Sequence, residues 1–308
     1  MSVSDLYGEL RPRAFAIAYQ MLGSVSEAED VVQEAFLRMH QTLQRDEPIT
    51  SPRAYIATLV TRLAIDQLRS ARVRRESYVG EWLPEPVVTG PTPAELAERA
   101  DSMSLAFLVL LETLSPHQRA AFLLREVFDY PYADVAEIIG TDVDSARHLV
   151  ARARNHVRKS RPRYHATRER RQELAQRFFA ASEQGDLSAL EELLAQDVAL
   201  HADGGGNVPA LGRSVNGRKH VARTVLAGMA AFARLGVRLR LTEVNGQPGA
   251  MAYDEQDQLA GVMGLGIADD GTIQTIHFIV NPDKLRHLDQ VSDLGVRLRA
   301  QRRSHRNT

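Results

Sequence analysis

The spacing of apolar residues changes once along this chain, near residue 166. Before that point, apolar residues recur at intervals of three and four, which is typical of amphipathic helices. Beyond it, helix-like segments give way to strand-like stretches, and Asn-Gly or Asp-Gly pairs mark the turns between them. The chain is therefore expected to hold helical domains first and an α+β domain last. The predicted strands are Val198–Ala202, Val237–Val244, Gly261–Ile267 and Ile273–Val280.

Breaks in these patterns define the expected domain boundaries. We predict a helical domain over residues 1–75, a linker over 76–93, a second helical domain over 94–165, an α+β domain over 166–290 and a flexible tail over 291–308. The longest uninterrupted apolar run, Leu105–Leu111, is far shorter than the roughly 18–20 residues that a membrane span needs. The N-terminus lacks a signal-peptide pattern and the chain has no cysteine, which together predict a cytoplasmic protein.

The formal net charge of −1 conceals a segregated distribution of charge. Residues 51–75 carry a net charge of +5, and residues 147–171 carry +9. The remaining segments are acidic or nearly neutral, with −4 over residues 1–50, −10 over residues 76–146 and −1 over residues 172–308. Two short basic blocks separated by acidic stretches indicate a polyanionic partner.

The most informative helical stretch runs from Tyr132 to Lys159. A short helix over Tyr132–Ile139 ends at Gly140, and residues 141–144 cap a longer, arginine-rich helix. This is the helix-turn-helix plan, whose second helix can enter the major groove; an arginine-rich helix that only faces solvent is the alternative. In the DNA-binding interpretation, Arg147, His148 and Arg152 reach base edges, whereas Arg154 lies further along and holds the backbone.

Three helical segments resemble an extracytoplasmic-function (ECF) sigma factor of bacterial RNA polymerase. Residues 27–38, with the sequence Glu-Ala-Glu-Asp-Val-Val-Gln-Glu-Ala-Phe-Leu-Arg, are similar to sigma region 2.2, residues 52–72 to regions 2.3–2.4, and residues 115–159 to region 4. The resemblance implies that the first segment binds the clamp of the large polymerase subunit. It also implies that the second opens and reads the −10 element and that the third reads the −35 element.

The resemblance assigns residues to each of these roles. Tyr55, Arg62 and Leu149 stand where Trp, Asn and Arg are usual, so the base preferences of the family are not carried over. A melted −10 strand needs a cationic groove and a surface for unstacked bases, and Tyr55 suits that surface as well as it suits a core position. The polymerase-binding residues are Asp30, Gln33, Glu34 and Arg38, the −10 residues are Tyr55, Arg62, Arg69 and Arg72, and the −35 residues are Ser145, Arg147, His148, Arg152 and Arg154.

Three further motifs resemble those of an ECF subgroup, the sigma-J type, that carries a C-terminal SnoaL-like domain of the NTF2-type cone fold. The resemblance implies two all-α sigma domains, the second with a helix-turn-helix, followed by an α+β cone that regulates them in cis through the linker. The motifs, which we predict to be interdomain regulatory sites, are Trp82, Leu83, Pro84, Glu85 and Pro86; Asp203, Gly204, Gly205 and Gly206; and Asn281, Pro282, Asp283, Lys284 and Leu285.

Two other classes of function remain open from the sequence. SnoaL-like folds include cyclases and isomerases that use an Asp/His pair, and His201 and Asp203 alternate on one predicted strand, so they share a face. That arrangement would make the chain an enzyme fused to a DNA-binding module. A repressor that senses a ligand in the cone is the third interpretation. The acidic segment 27–38 favours the sigma factor, for which we expect core RNA polymerase and promoter DNA as partners, with a small ligand in the cone as a further possibility. No membrane partner, catalytic residue, metal or cofactor is predicted.

Overall fold

A computed structural model describes residues 3–45, 48–89, 103–160, 167–268, 270–295 and 297–298 of the chain. The chain forms two compact units. The N-terminal unit comprises Met1–Ser77 and Leu110–Arg161, and the C-terminal unit comprises Tyr78–Val109 and Pro162–Thr308. The start of the second helical domain, predicted at residue 94, lies outside the described residues. Within the described part of the chain, no helix is both long and apolar enough to cross a bilayer.

The first half of the N-terminal unit is built from three helices, α1 (Val3–Leu22), α2 (Val25–Gln44) and α3 (Pro52–Glu76). The side-chain oxygen of Ser24 accepts a hydrogen bond from the Glu27 N–H at 3.2 Å, which satisfies one of the free donors at the start of α2. The three helices bury apolar residues against one another, among them Tyr19, Val32 and Val60. Most of the stability of such short helices comes from this packing.

The second half of the N-terminal unit follows α4 (Leu105–Leu111) and contains the predicted helix-turn-helix. Ser115 and Gln118 form a capping box for α5 (Pro116–Phe122), which continues as one π-helical turn over Leu123–Val127. Helix α6 (Tyr132–Ile139) ends at Gly140, whose φ of 72° is a left-handed conformation that favours glycine. Helix α7 (Val143–Ser160) then packs a buried row on the unit, formed by Ala146, Val150, Ala153 and Val157.

The C-terminal unit is an α+β domain around a seven-stranded sheet. Its strands, numbered along the chain, are β1 (Val88–Thr89), β2 (Leu194–Asp203), β3 (Val215–Asn216), β4 (Arg238–Val244), β5 (Gln247–Tyr253), β6 (Leu259–Ile267) and β7 (Ile273–Ile279). Strands β4 to β7 form an antiparallel meander, and β7 pairs in parallel with β2. Helices α8 (Arg168–Gln184), α9 (Leu187–Leu193) and α10 (Arg218–Ala233) pack on one face of the sheet. The order of the strands across the sheet is β1-β4-β5-β6-β7-β2-β3.

The predicted fold class is confirmed, and the sheet is larger than expected. All four predicted strands are present, and the Asn245–Gly246 turn, with φ values of 52° and 71°, joins β4 to a strand that was not predicted, β5. The short strands β1 and β3 were also not predicted. Strand β1 belongs to the predicted linker, so this segment completes an edge of the sheet rather than connecting freely.

The C-terminal boundary also differs from the expectation. The flexible tail was predicted to begin at residue 291, but Leu294 is buried and Arg297 lies 3.2 Å from the Asp254 carboxylate. The Leu259 N–H donates to the Gln290 carbonyl, and the Ser292 N–H donates back to the Leu259 carbonyl. The described residues up to 298 therefore pack on the α+β domain, and residues 296 and 299–308 lie outside the described part of the chain.

Candidate nucleic-acid interface and linker clamp

The predicted −35 residues form two rows along α7. Ser145, His148 and Arg152 are three and four positions apart, so they share one stripe that points away from the buried row. His148 and Arg152 are exposed, and the Ser145 hydroxyl donates to the Asp142 carboxylate at 2.6 Å. This bond and the Ser145 N–H bond to the same carboxylate fix the first turn of the helix. The stripe presents its polar groups where the second helix of a helix-turn-helix meets base edges.

The second row, seven residues apart, consists of Arg147 and Arg154. Arg147 lies 2.9 Å from the Asp144 carboxylate, and Arg154 forms two bonds to the Glu126 carboxylate at 2.6 and 3.2 Å. Both side chains remain largely exposed, at 60% for Arg147 and 51% for Arg154, so both are accessible from solvent. Leu149, where the family usually has Arg, is half-buried.

The predicted −10 residues lie along one stripe of α3, since Tyr55, Arg62 and Arg69 are seven positions apart. Tyr55 is half-buried, with its hydroxyl 3.0 Å from the Thr42 hydroxyl of α2. Arg62 donates to the backbone carbonyls of Ile138 and Glu137, both at 2.9 Å, at the C-terminal end of α6. The carbonyls at the end of a helix lack the full set of partners within it, and the Glu137 carbonyl also accepts from the Gly140 N–H at 3.3 Å. Arg62 therefore completes the C-terminal cap of the first helix of the helix-turn-helix.

The other two predicted −10 residues are Arg69, whose side chain the structure describes, and Arg72, whose side chain it does not. Arg69 is exposed and lies 3.3 Å from the Asp66 carboxylate of its own helix. The side chain of Arg72 lies outside the described part of the chain.

The predicted polymerase-binding residues form a surface on α2 opposite its buried face. Asp30, Gln33 and Arg38 are exposed, and Arg38 bonds Glu34 at 2.7 Å. Sequence reasoning missed a fifth member, Leu37, whose side chain lies at the centre of this surface and is 52% exposed. Its position four residues after Gln33 and seven after Asp30 was the available signal.

The three predicted regulatory motifs meet in one buried cluster around Asp203, which we call the linker clamp. The Asp203 side chain is 0% exposed. One of its oxygens accepts from the Tyr78 hydroxyl at 2.6 Å, and the other accepts from the Leu83 N–H at 2.8 Å and from Lys284 Nζ at 2.6 Å. A single carboxylate thereby holds both the linker and the segment that follows β7.

Lys284, which belongs to the third motif, completes the linker clamp. Its ammonium group also donates to the Leu83 carbonyl and lies 4.2 Å from the centre of the Trp82 ring. Asn281 donates to the Tyr78 hydroxyl at 2.8 Å, and burial, followed by the Asp203 carboxylate, raises the pKa of Tyr78 well above its usual range. The Asp203 carboxylate and the Lys284 ammonium group thus both have hydrogen-bond partners, as a buried charged pair requires.

Gly205 explains why the second motif is rich in glycine. Its φ of 58° is left-handed, and a Cβ atom built on it would lie 2.2 Å from the Asn281 side-chain nitrogen. Its N–H donates to Asp203 at 3.0 Å. A glycine here lets the chain turn tightly around the carboxylate while Asn281 packs against it.

Further polar contacts fasten the linker along its length. His201 Nδ1 lies 2.6 Å from a Glu81 oxygen, and His287 Nε2 lies 2.8 Å from the Pro86 carbonyl. Val87 exchanges two hydrogen bonds with Asn245, and β1 follows directly. Within the core on this face, Leu83 and Leu285 are fully buried with Ile279. The linker therefore covers the second face of the sheet.

The Asp/His pair considered for catalysis lies on that covered face. Asp203 aligns with Ile279 and His201 with His277, whereas the intervening Ala202 aligns with Phe278 on the helical face. The alternative enzyme interpretation needs His201 and Asp203 to be accessible to a substrate, whereas in this structure the linker packs over both. Burial lowers the pKa of His277 to about 3, and the neighbouring His201 adds to this shift.

Comparison with known proteins agrees with this arrangement. Residues 6–74 match the family model for sigma-70 region 2, and residues 104–157 match that for sigma-70 region 4. The chain is 38% identical over 297 residues to the ECF RNA polymerase sigma factor SigJ of Mycobacterium tuberculosis, covering 92% of this chain and 93% of that protein. It is 32% identical over 272 residues to the probable ECF sigma factor SigI of the same species, covering 87% and 90% of the two chains.

A solved structure gives the same result at the level of the fold. The crystal structure of M. tuberculosis SigJ superposes with a TM-score of 0.73 at 34% identity, covering 92% of this chain and 98% of that one. A helix-turn-helix with an exposed basic helix, preceded by a three-helix domain, defines a transcription factor of the sigma class. The chain belongs to the ECF RNA polymerase sigma factors. It is an alternative sigma factor whose sigma domains are followed by an α+β domain.

Proposed function

We propose that this chain binds core RNA polymerase through α2 and directs it to promoters with −35 and −10 elements through α7 and α3. The observation that carries the proposal is the outward stripe of α7, because it combines exposed His148 and Arg152 with the second position of a helix-turn-helix. Base contacts from this stripe supply sequence preference, and phosphate contacts from Arg154 supply affinity and register. We move Arg147, which the sequence assigned to base edges, to the phosphate contacts, because it lies in the same row as Arg154 and outside the stripe.

Promoter DNA can bind Arg62 only if the contacts that Arg62 makes in this structure are broken. In the described structure, the guanidinium group of Arg62 caps α6, so it is not available to a DNA strand. We infer that a melted −10 strand competes for Arg62 and that α6 and α3 separate when both elements are bound. Arg69 is held only by an exposed ion pair and remains accessible throughout.

The polymerase contact is assigned to the surface of α2. Its acidic groups Asp30 and Glu34 would repel DNA, which supports a protein partner. Leu37 supplies the exposed apolar anchor on which such interfaces depend, surrounded by polar groups that form the rim. We therefore add Leu37 to the polymerase-binding residues predicted from the sequence.

Regulation in cis is assigned to the linker clamp. The segment between the two sigma domains is bound along Tyr78–Thr89 by the α+β domain, so its effective length is short while the clamp is closed. Two DNA-binding domains act together only if the connection between them can span their sites, and a bound linker limits that span. Release of the clamp would lengthen the connection and increase promoter occupancy.

The proposal is tested by transcription with purified components. The full chain is mixed with core RNA polymerase and a library of promoter sequences, and the transcribed templates are sequenced. We expect initiation from templates that share a −35 and a −10 element, and loss of the −35 preference in Arg152→Ala. Absence of template-specific initiation with core polymerase would refute the proposal.

A repressor would instead bind DNA tightly without polymerase, so a binding assay without polymerase distinguishes the two. The cytoplasmic location stays a prediction.

A further inference from the structure

The helical face of the α+β sheet contains a cavity of about 370 Å³ that no step of the proposed function uses. Helix α10, residues 208–211 and strands β2, β6 and β7 form its walls. Its volume falls within the range of small-molecule sites in proteins. The residues that dominate its lining are Leu200, Ala202, Met229, Phe232, Met263 and Phe278.

The lining limits the chemistry of any occupant. Among the described residues of the wall, the one hydroxyl-bearing side chain is Thr224, and this hydroxyl already donates to the His220 carbonyl of its own helix at 2.8 Å. The wall includes no charged or titratable side chain from the described part of the chain. An ion bound there would lose its hydration without gaining a partner, so the fitting ligand is neutral and apolar. The arginine-rich residues 299–308 do not match this chemistry.

The walls of the cavity also carry the linker clamp on their reverse side. Strand β2 places Leu200 and Ala202 in the cavity and, at the alternate positions, His201 and Asp203 against the linker. The cavity loop is tied to the second motif as well, since the Val208 N–H donates to the Gly204 carbonyl at 3.0 Å. A Cβ atom on Gly204 would lie 2.2 Å from the Val208 carbonyl oxygen, so these segments have no space to shift independently.

We propose that this cavity binds a neutral, apolar small molecule and that its occupancy stabilises the closed linker clamp. The structure combines an open cavity with a closed clamp, so a ligand of matching shape favours this state over one with a displaced β2 and a released linker. By linkage, ligand at concentration [L] suppresses release by up to a factor of 1 + [L]/Kd. The effect on transcription rests on the proposed function, whereas the binding site does not.

The binding site is tested with N-phenyl-1-naphthylamine, a neutral apolar dye whose fluorescence rises in apolar surroundings. The test variant is Gly228→Leu, because Gly228 lines the cavity and a Cβ atom there meets nothing within 4 Å. The matched control is Gly8→Leu on α1, where a Cβ atom is equally unobstructed. We expect saturable binding of one dye by the full chain and by the control, and at least tenfold weaker binding by Gly228→Leu with a Tm no lower than that of the parent chain.

No saturable binding, or equal binding by Gly228→Leu, would overturn the site. If Gly228→Leu is less stable, Gly228→Glu provides a second variant, since a carboxylate at the wall repels an apolar ligand without filling the cavity. Retention of full dye affinity by both variants contradicts the location.

The coupling is tested by hydrogen–deuterium exchange of the linker peptide covering residues 78–89 in the full chain. With dye at 100 times its Kd, we expect exchange of the Leu83 amide to slow by up to about 100-fold, and no change in Gly228→Leu. Unchanged exchange in the dye-bound chain would overturn the coupling. Slowed exchange without any change in transcription would leave the site standing and refute regulation in cis.

Discussion

The α7 surface and the linker clamp place charged residues in opposite environments. On α7 the cations are exposed, and those that have partners meet carboxylates of nearby residues in contact with water. In the clamp, the charged pair of Asp203 and Lys284 is buried, and the bonds from Tyr78, Leu83 and Lys284 to Asp203 link segments far apart in sequence. Charge on α7 is therefore available to a ligand, whereas charge in the clamp is part of the fold.

This difference determines how each region can be tested. A substitution on α7 changes what the surface binds and leaves the free energy of unfolding nearly unchanged, because solvent replaces the lost partner. A substitution in the clamp leaves a buried group without its partner, so stability and regulation change together. The predictions below test this contrast between exposed charge on α7 and buried charge in the clamp. An outcome other than the expected one would weaken the contrast.

The largest effect is expected for Asp203→Ala. This change leaves the Lys284 ammonium buried without its counter-ion and removes the acceptor of Tyr78 and of the Leu83 N–H. We expect the free energy of unfolding to fall by about 3–5 kcal/mol, measured by urea denaturation. The exposed Asp144→Ala on α7 is the control, with an expected change within about 0.5 kcal/mol.

A matched double variant separates charge from packing in that experiment. Asp203→Asn combined with Lys284→Met removes both charges and should recover part of the stability that Asp203→Ala loses. If Asp203→Ala cost no more than Asp144→Ala, the clamp would not be a structural element of the fold.

A smaller effect, on binding rather than stability, is expected for Arg152→Ala. If Arg152 contacts a base edge, its loss costs about 1–3 kcal/mol at one promoter position and relaxes specificity there. Arg154→Ala should instead weaken binding uniformly across sequences and reduce the salt slope by about 1. Both are measured as binding of the polymerase complex to promoter variants. Equal losses on every sequence for Arg152→Ala would place it with the backbone contacts.

The third effect concerns pH and arises from buried His277. Because its folded-state pKa of about 3 lies below the unfolded value near 6.5, protonation favours the unfolded state as pH falls below 6.5. This residue should cost the α+β unit about 1.4 kcal/mol between pH 7.5 and pH 5.5. The fluorescence of Trp82, the single tryptophan, reports unfolding of that unit. The loss should be smaller in His277→Gln; an identical pH profile would contradict the assignment.

The smallest effect is expected for Gly140→Ala in the turn before α7. A Cβ atom there meets nothing within 4 Å, so the cost is the left-handed backbone alone, about 1 kcal/mol. The control is Gly8→Ala within α1, which should stabilise by up to about 1 kcal/mol because glycine is a poor helix residue. Denaturation of both variants checks the opposite signs; a shift of the same sign would indicate that Gly140 serves another purpose.

The parts of the fold with strong local signals were predictable from the sequence. Helix α6 begins and ends as predicted, since Gly140 ends it in a left-handed conformation. Strand β5 was missed because Pro248 and Gly249 are poor strand formers, and pairing with β4 and β6 outweighs their propensities. Strand β1 was missed because two residues carry no periodicity and depend on β4 for their pairing.

The site was predictable as a set of residues but not as an arrangement. Alternation placed His201 and Asp203 on one face of a strand, yet both faces of β2 are buried, so the pattern could not tell which one meets the helices. The contact between Arg62 and α6 joins residues far apart in sequence, and no local pattern encodes it. Leu37 was overlooked because an apolar residue on a helix is expected in the core.

The two-sided character of β2 constrains how this domain can evolve. Substitutions at Leu200 and Ala202 change the cavity, and substitutions at His201 and Asp203 change the clamp, so point mutation can vary the two surfaces separately. A one-residue insertion or deletion before Leu200 would exchange the faces, placing Asp203 in the apolar cavity and an apolar side chain against Lys284. The side chains along β2 can therefore change during evolution, whereas the number of residues in the strand cannot.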